Sequence, residues 1–267
     1  MNNTFNSDCT LLVNSCDSYY DCWDGFFKLL KIQWPDFDMN IVLNTESRDY
    51  SFEDLKISTF GMYKNKNVPW GKRMIETLKK IETKYILFAL EDFYLESPVN
   101  TEELAKCYKY MEENPNIAYF SFFPTMDKNN IKSSAYNGFE KRPQKGEYRL
   151  NCQMALWNRE KLLSFIRPHE NPWEWELYGS RRSSKYKEEF YTICKDTPKI
   201  FHYQNGGMIL RGRWCLEKAV PLKEKYLLNI NFSNRDTYEN FLSSPPIHKR
   251  NLWRGLKNRI NKIKSII

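Results

Sequence analysis

The sequence predicts an α/β domain built on a mainly parallel sheet, and two observations carry that expectation. Short apolar runs at residues 10–16 (TLLVNSC), 39–43 (MNIVL) and 85–90 (YILFAL) alternate with segments whose apolar residues recur at helical spacing. Those runs end in polar groups, Asn14-Ser15-Cys16-Asp17, Asn44-Thr45-Glu46 and Glu91-Asp92. Open sheets of this kind bind ligands in the crevice beyond the carboxyl ends of their strands.

The elements follow in order. After the first strand, Trp23, Phe26, Phe27, Leu30 and Trp34 mark one face of a helix that Pro35 stops. The second strand gives way to a polar, irregular stretch reaching Pro69. A helix starting at Trp70, with Met74, Ile75, Leu78 and Ile81 inward, then feeds the strand at 85–90. Asn100 and Glu103 stand at capping-box spacing ahead of Leu104, Cys107, Tyr108 and Met111, and Asn114-Pro115 closes that helix. A strand over 117–123 follows. Residues 125–148 are polar, contain Gly and Pro, have no clear period and read as a surface excursion or lid. A strand over 150–157, a helix over 159–166, a helix opened by Pro172, a strand over 199–203 and a Gly206-Gly207 turn complete the pass.

Composition narrows the function. The chain has 267 residues, 41% hydrophobic and 16% aromatic, so it must build a real core. Its apolar runs are far shorter than the roughly 18 residues of a membrane span. The start MNNTFNSDCT has neither a basic n-region nor an apolar h-region, so the expected compartment is the cytoplasm. Seven scattered cysteines without C-x-x-C spacing, and three histidines without H-E-x-x-H, argue against a zinc site. Neither G-x-G-x-x-G nor G-x-x-x-x-G-K-[ST] occurs, which removes the Rossmann dinucleotide site and the P-loop.

The formal charge of +8 is local. Residues 248–267 hold Lys249, Arg250, Arg254, Lys257, Arg259, Lys262 and Lys264 with no acid, and the other 34 bases and 33 acids leave residues 1–247 at +1. In this tail Trp253, Leu256, Ile260, Ile263 and Ile267 form one apolar stripe of a helix flanked by cations. The chain therefore divides into a domain, 1–247, and a basic amphipathic C-terminal tail, 248–267. Such a tail suits an anionic membrane surface; the alternative is a terminal helix docking on its own domain. Nucleic acid is not expected, because no basic cluster elsewhere extends the patch.

Four segments together, SCDSYYDCWDGFFKLLKIQWPDF, WGKRMIETLKKIETKYILFALEDF, the strand before Ser15 and NPWEWELYGSRRS, resemble a bacterial GT-A-fold glycosyltransferase. The nearest type is the family 2-like enzymes of capsular and lipopolysaccharide synthesis. The resemblance covers roughly residues 9–215. It implies transfer of a sugar from a nucleoside-diphosphate-sugar donor to a saccharide acceptor, with inversion. A lipid-linked glycan acceptor at the inner face of the cell membrane would account for the tail.

Residue by residue, the resemblance implies that Glu91 and Asp92 hold a divalent cation, Mn2+ or Mg2+, that bridges the donor diphosphate. His202 completes the metal shell. The family pattern is Asp-x-Asp, whereas Phe93 follows Asp92 here, and adjacent strand residues point to opposite faces, so Asp92 is the better placed ligand. Asp17 and Glu46 match positions at the donor's base and ribose, and Ser15 is placed in the same donor site; Asp17 could equally cap a turn. Arg73 matches a position near the phosphates, with Trp70 one turn before it also placed in the donor site, and Arg213 is a late basic residue that steadies the diphosphate. Trp173 and Trp175 offer flat faces for an acceptor sugar. An inverting transferase needs a carboxylate base. Either Glu176 or Glu174 supplies it, with Glu176 preferred, unless both acids serve only the helix dipole. Rival readings are a sugar nucleotidyltransferase, for which the first loop lacks a Gly-rich basic segment, and a glycan- or nucleotide-binding protein of the same fold without turnover.

Overall fold

The computed structural model of the protein describes residues 3–64, 67–125, 127, 129–240 and 265. The membrane-facing stripe expected in 248–267 lies outside the described residues. Ser265 alone of that tail is described: it is buried, its Oγ is 2.8 Å from His169 Nε2, and its carbonyl accepts from Arg182 Nη1 at 2.8 Å.

Nine described strands form one sheet: β1 (Cys9–Asn14), β2 (Asn40–Asn44), β3 (Ile57–Ser58), β4 (Tyr85–Leu90), β5 (Ile117–Ser121), β6 (Ile131–Lys132), β7 (Phe139–Lys141), β8 (Ala155–Asn158) and β9 (Glu189–Ile193), in the order β3-β2-β1-β4-β8-β5-β9-β7-β6. A small sheet of β10 (Ile209–Leu210), β11 (Arg213–Cys215) and β12 (Thr237–Tyr238) follows. The half from β3 to β4 is parallel, as is β5 with β9. β8 runs antiparallel to both β4 and β5, and β7 and β6 continue antiparallel beyond β9. The sheet is thus mixed rather than mainly parallel. An inserted antiparallel strand leaves no mark in local hydrophobicity, because direction is set by the pairing partner.

The helices are α1 (Asn3–Asp8), α2 (Trp23–Gln33), α3 (Trp70–Lys80), α4 (Thr101–Glu113), α5 (Arg159–Ser164), α6 (Pro172–Glu174), α7 (Ser180–Ser183) and α8 (Leu216–Tyr226). Side-chain alternation on β4 sorts them into two layers. Leu87 and Ala89 join Trp23, Phe26, Phe27 and Leu30 of α2 and Leu104, Cys107 and Met111 of α4. Ile86 and Phe88 face Met74 and Leu78 of α3, Leu162 of α5 and Trp175. The Asn100 side chain caps α4 by accepting from Glu103 N (3.2 Å), as its spacing predicts.

Two segments differ from expectation. Residues 125–148 are not wholly an excursion, since β6 and β7 extend the sheet edge, with Phe139 buried. Residues 199–203 bury Ile200, Phe201 and Tyr203 but pair with a loop instead of a strand: Glu96 N donates to His202 O (2.9 Å) and Asn100 N to Ile200 O (3.0 Å). Among the described residues no helix is long and apolar enough to cross a membrane.

Candidate active site

The carboxyl ends of β1 and β2 are tied together by side chains. Asn14 at the end of β1 accepts from Asn44 Nδ2 (2.9 Å) and from Trp70 Nε1 (3.0 Å), which anchors the start of α3. One turn later Arg73, almost wholly buried, donates to Ser15 O (3.0 Å) and pairs with Glu46 Oε1 (3.2 Å), while its Nε has no acceptor. Glu46 Oε2 in turn accepts from Asp17 N (2.5 Å), and Ser15 Oγ accepts from Trp23 Nε1 (2.8 Å). Asp17 receives the hydroxyls of Thr45 and Ser47 and the amides of Glu46, Ser47 and Arg48. Burial pushes its carboxyl up, but the Ser47, Thr45 and Arg48 hydrogen bonds outweigh that and hold it at about 2.

Ser15, Asp17, Glu46 and Arg73 therefore meet, as the sequence predicts, but with different duties. Asp17 spends its oxygens stapling the β1 loop to the β2 loop, so it shapes the crevice and does not present a free carboxylate to a base. Trp70 is a support as well: its ring is buried 5.7 Å from the Trp175 ring and its N–H is used by Asn14.

Beyond β4, Glu91 and Asp92 are both buried. Burial, and then the Asp92 charge, push Glu91 well above the usual carboxylate range; Arg235 and Arg73 act in the opposite sense. Asp92 is also raised by burial, against the pull of the Ile209 amide, Lys218 and Arg235. Its Oδ2 accepts from Ile209 N (3.1 Å), and its carboxylate lies over Gly207, where a Cβ would stand 2.0 Å from Oδ2. Two adjacent buried carboxylates, each disfavoured as an anion, are a donor set of hard oxygens that fits a hard divalent cation. Among the described residues no group of three His, Cys, Asp or Glu side chains could enclose one. His202 therefore does not complete a shell with Glu91 and Asp92, because its segment follows the 96–100 loop.

Arg213 does not steady this pair; it reaches Asp236 at 3.4 Å on the small sheet. The cation that acts on both carboxylates is Arg235, which sequence reading missed. It donates to Asp21 through Nη2 (2.6 Å) and Nε (3.0 Å) and to Ser18 O (2.6 Å), with its guanidinium 4.4 Å from the Tyr19 ring. It stands in a polar stretch, SNRDTY, without periodicity, so no local signal marks it.

The segment opened by Pro172 divides its four special residues. Asn171 and Glu174 form a full capping box: Asn171 Oδ1 accepts from Glu174 N (2.9 Å), and Glu174 Oε2 accepts from Asn171 N (3.0 Å). Glu174 is thus the helix-terminal residue of the pair. Trp175 is fully buried, with ring centroids 5.7 Å from Trp70 and 6.1 Å from Trp157, so it is core and cannot carry an acceptor sugar. Trp173 is 76% exposed. Glu176 is the second residue of a π turn, Trp175–Gly179, and its Oε1 accepts from Cys152 N (2.7 Å). Burial raises its carboxyl despite that bond. Phe88 pairs with Ala155, so residues 152–154 run beside the end of β4, and Glu176 is held at the same edge of the sheet. A buried ion pair fixes the segment: Arg182 grips Glu170 through Nη1–Oε1 (2.5 Å) and Nη2–Oε2 (2.8 Å), and Glu170 O accepts from Gly71 N (2.8 Å) at the start of α3.

No protein-family model matches the chain, and no curated protein matches it by sequence. Solved structures align with it over much of its length. S. aureus TarS 1–349 aligns over 85% of this chain and 67% of its own, with TM-score 0.47 and 11% identity; the chain spans 41% of full-length TarS. A mannosyltransferase from Pyrobaculum calidifontis, solved with GDP-Man and Mn2+, aligns over 74% of this chain and 56% of its own (TM-score 0.44, 11% identity). An active-site variant of LgtC aligns over 62% of each chain (TM-score 0.38, 10% identity).

Proposed function

We propose that this protein is a GT-A-like glycosyltransferase that moves a sugar from a nucleoside-diphosphate-sugar donor to a saccharide acceptor in surface polysaccharide synthesis, with inversion. The observation that carries the reading is the buried Glu91–Asp92 pair at the end of β4, lying within the fields of Arg73 and Arg235. Hard oxygens with guanidinium charge acting nearby suit a diphosphate. A divalent cation, Mn2+ or Mg2+, held by Glu91 and Asp92 would neutralise the charge that develops on the departing diphosphate.

The chain's own groups do the rest. Arg73 and the Asp17-stapled loops fix the donor end. Glu176 takes the proton of the acceptor hydroxyl as the anomeric carbon is attacked: Cys152 N holds its Oε1, and its raised pKa makes it a stronger base than an ordinary glutamate. Trp173 is left as the exposed ring for an acceptor sugar. The basic tail, 248–267, would bring the enzyme to a lipid-linked acceptor at the cytoplasmic face of the membrane.

A thermal-shift series with UDP, GDP and their sugars, with and without manganese, tests the reading. A ligand at a hundred times its Kd adds about 2.7 kcal/mol, or roughly 5–10 °C at this size. At least one donor should do so in a manganese-dependent way; a flat series refutes the proposal.

A further inference from the structure

We infer that the acceptor is anionic, carrying a phosphate or carboxylate that docks against Arg142 and Lys145 beneath the 142–148 segment. This rests on the glycosyltransferase reading above and names the substrate class of its acceptor side.

Arg142 is 2% exposed and has no carboxylate partner among the described residues: its Nη2 donates to the Glu147 carbonyl at 2.6 Å, its charge acts on the buried Tyr119 hydroxyl, and Nε and Nη1 make no hydrogen bond of good geometry. The neighbouring Arg149 is likewise satisfied by carbonyls, those of Ser183 (2.7 Å) and Glu188 (2.9 Å), and burial, aided by the Arg142 charge, lowers its pKa to about 10. A buried cation without a counter-ion is expensive. Arg142 lines a cavity of about 680 Å³ together with Lys145 and Tyr148, so an anion entering there would supply the missing charge and acceptors. Two acids share that wall, Asp127, which accepts from Asn129 N (3.0 Å), and the exposed Glu147, and among the described residues neither forms an ion pair with Arg142 or Lys145.

Tyr148 points the same way. Its φ is 47°, a left-handed conformation that a bulky residue rarely adopts, and its ring is 56% exposed. It forms a wall shared with a second cavity of about 410 Å³, whose other side is Leu177, Ser180 and Arg181. Ser180 Oγ donates to Glu176 O, so that second cavity borders the helix that carries the base. An acceptor laid along both would stack a sugar on Tyr148 and seat its anion on Arg142 and Lys145, with its far end at Ser180, one turn from Glu176.

The test titrates the full chain, saturated with UDP and manganese, with glucose 6-phosphate, glucuronate and glucose. Both anions should bind about tenfold or more tightly than glucose. The tighter anion identifies whether phosphate or carboxylate is the natural group. Lys145→Gln and Tyr148→Gly should each weaken anion binding about fivefold or more, and Tyr148→Gly should keep or raise the melting temperature because glycine adopts its φ freely. Arg142→Met should abolish the preference for anions. Equal affinity for glucose, displacement of the anions by UDP, or unchanged binding in Lys145→Gln and Tyr148→Gly overturns the inference. A chain that binds neither UDP nor GDP refutes the donor reading instead, and the same titration without nucleotide still reads the anion site, so the two fail separately.

Discussion

Replacing Gly207 by alanine should disable the site by moving one carboxylate. Gly207 has φ 67° and Gly206 has φ 74°, so either alanine variant carries a left-handed backbone cost of about 1–2 kcal/mol. What surrounds them differs. A Cβ at Gly206 meets nothing within 4 Å, whereas one at Gly207 would stand 2.0 Å from Asp92 Oδ2 and 2.4 Å from its Cγ. Asp92 must then leave Ile209 N, with which it makes a 3.1 Å bond. A hydrogen bond to a charged group contributes about 1.5–3 kcal/mol, so Gly207→Ala should cost roughly 2.5–5 kcal/mol in all. At about 2–4 °C per kcal/mol, Gly206→Ala should melt about 2–8 °C below the parent and Gly207→Ala further below. Donor turnover separates them more sharply. A displacement near 1 Å of a catalytic group can remove about 10²-fold of rate; Gly207→Ala should lose that much and Gly206→Ala almost none. Equal melting points and equal turnover in the two variants would refute the role given to the Asp92 position.

Other variants probe the remaining parts. Glu176→Gln should bind donor normally and lose about 10²–10⁴-fold in kcat, and the acid limb of the parent's pH–rate profile should lie above the usual glutamate range, because burial raises Glu176. Glu174→Gln should leave kcat intact and lower stability by about 0.5–2 kcal/mol through its capping box; a large kcat loss there alone reverses the assignment. Asp17, depressed to about 2, contributes stability that is present above its ordinary value of 3.8 and is lost as pH falls through 2; Asp17→Asn should flatten acid unfolding in that window. Glu170→Gln strands Arg182 and should cost about 3–5 kcal/mol by chemical denaturation; a change under 1 kcal/mol would show that the pair does not hold the Glu176 segment. Truncation at Ile247 should abolish binding to anionic liposomes; if it lowers only the melting temperature, the tail is a docking strap.

Much of the parallel half was legible because each of its elements depends on local pattern. The run at 85–90 is bounded by acids, α3 shows a clean helical period and α4 carries its own cap. β8 and the β6–β7 hairpin were not legible in the same way: their direction and edge position follow from pairing with β4, β5 and β9, which no window of sequence contains. The site divides along the same line. Glu91, Asp92, Arg73 and Glu176 stand at element ends that periodicity locates. The two indoles of the PWEW segment look alike in sequence, yet Trp175 faces Trp70 and Trp157 while Trp173 faces solvent, because residues two apart on a helix point about 200° apart. Arg235 brings its charge near the carboxylates through the packing of a late irregular segment on the β1 loop, where it pairs with Asp21, and Gly207 matters only because Asp92 lies against it.

Calorimetric titration of UDP and of GDP into the parent chain and into Asp92→Asn, each with and without manganese, tests the central claim most directly. The account predicts that one nucleotide binds the parent with an affinity that manganese strengthens, and that Asp92→Asn loses the manganese-dependent part while remaining folded. Nucleotide binding that is the same in Asp92→Asn as in the parent, or absent from both, would contradict it.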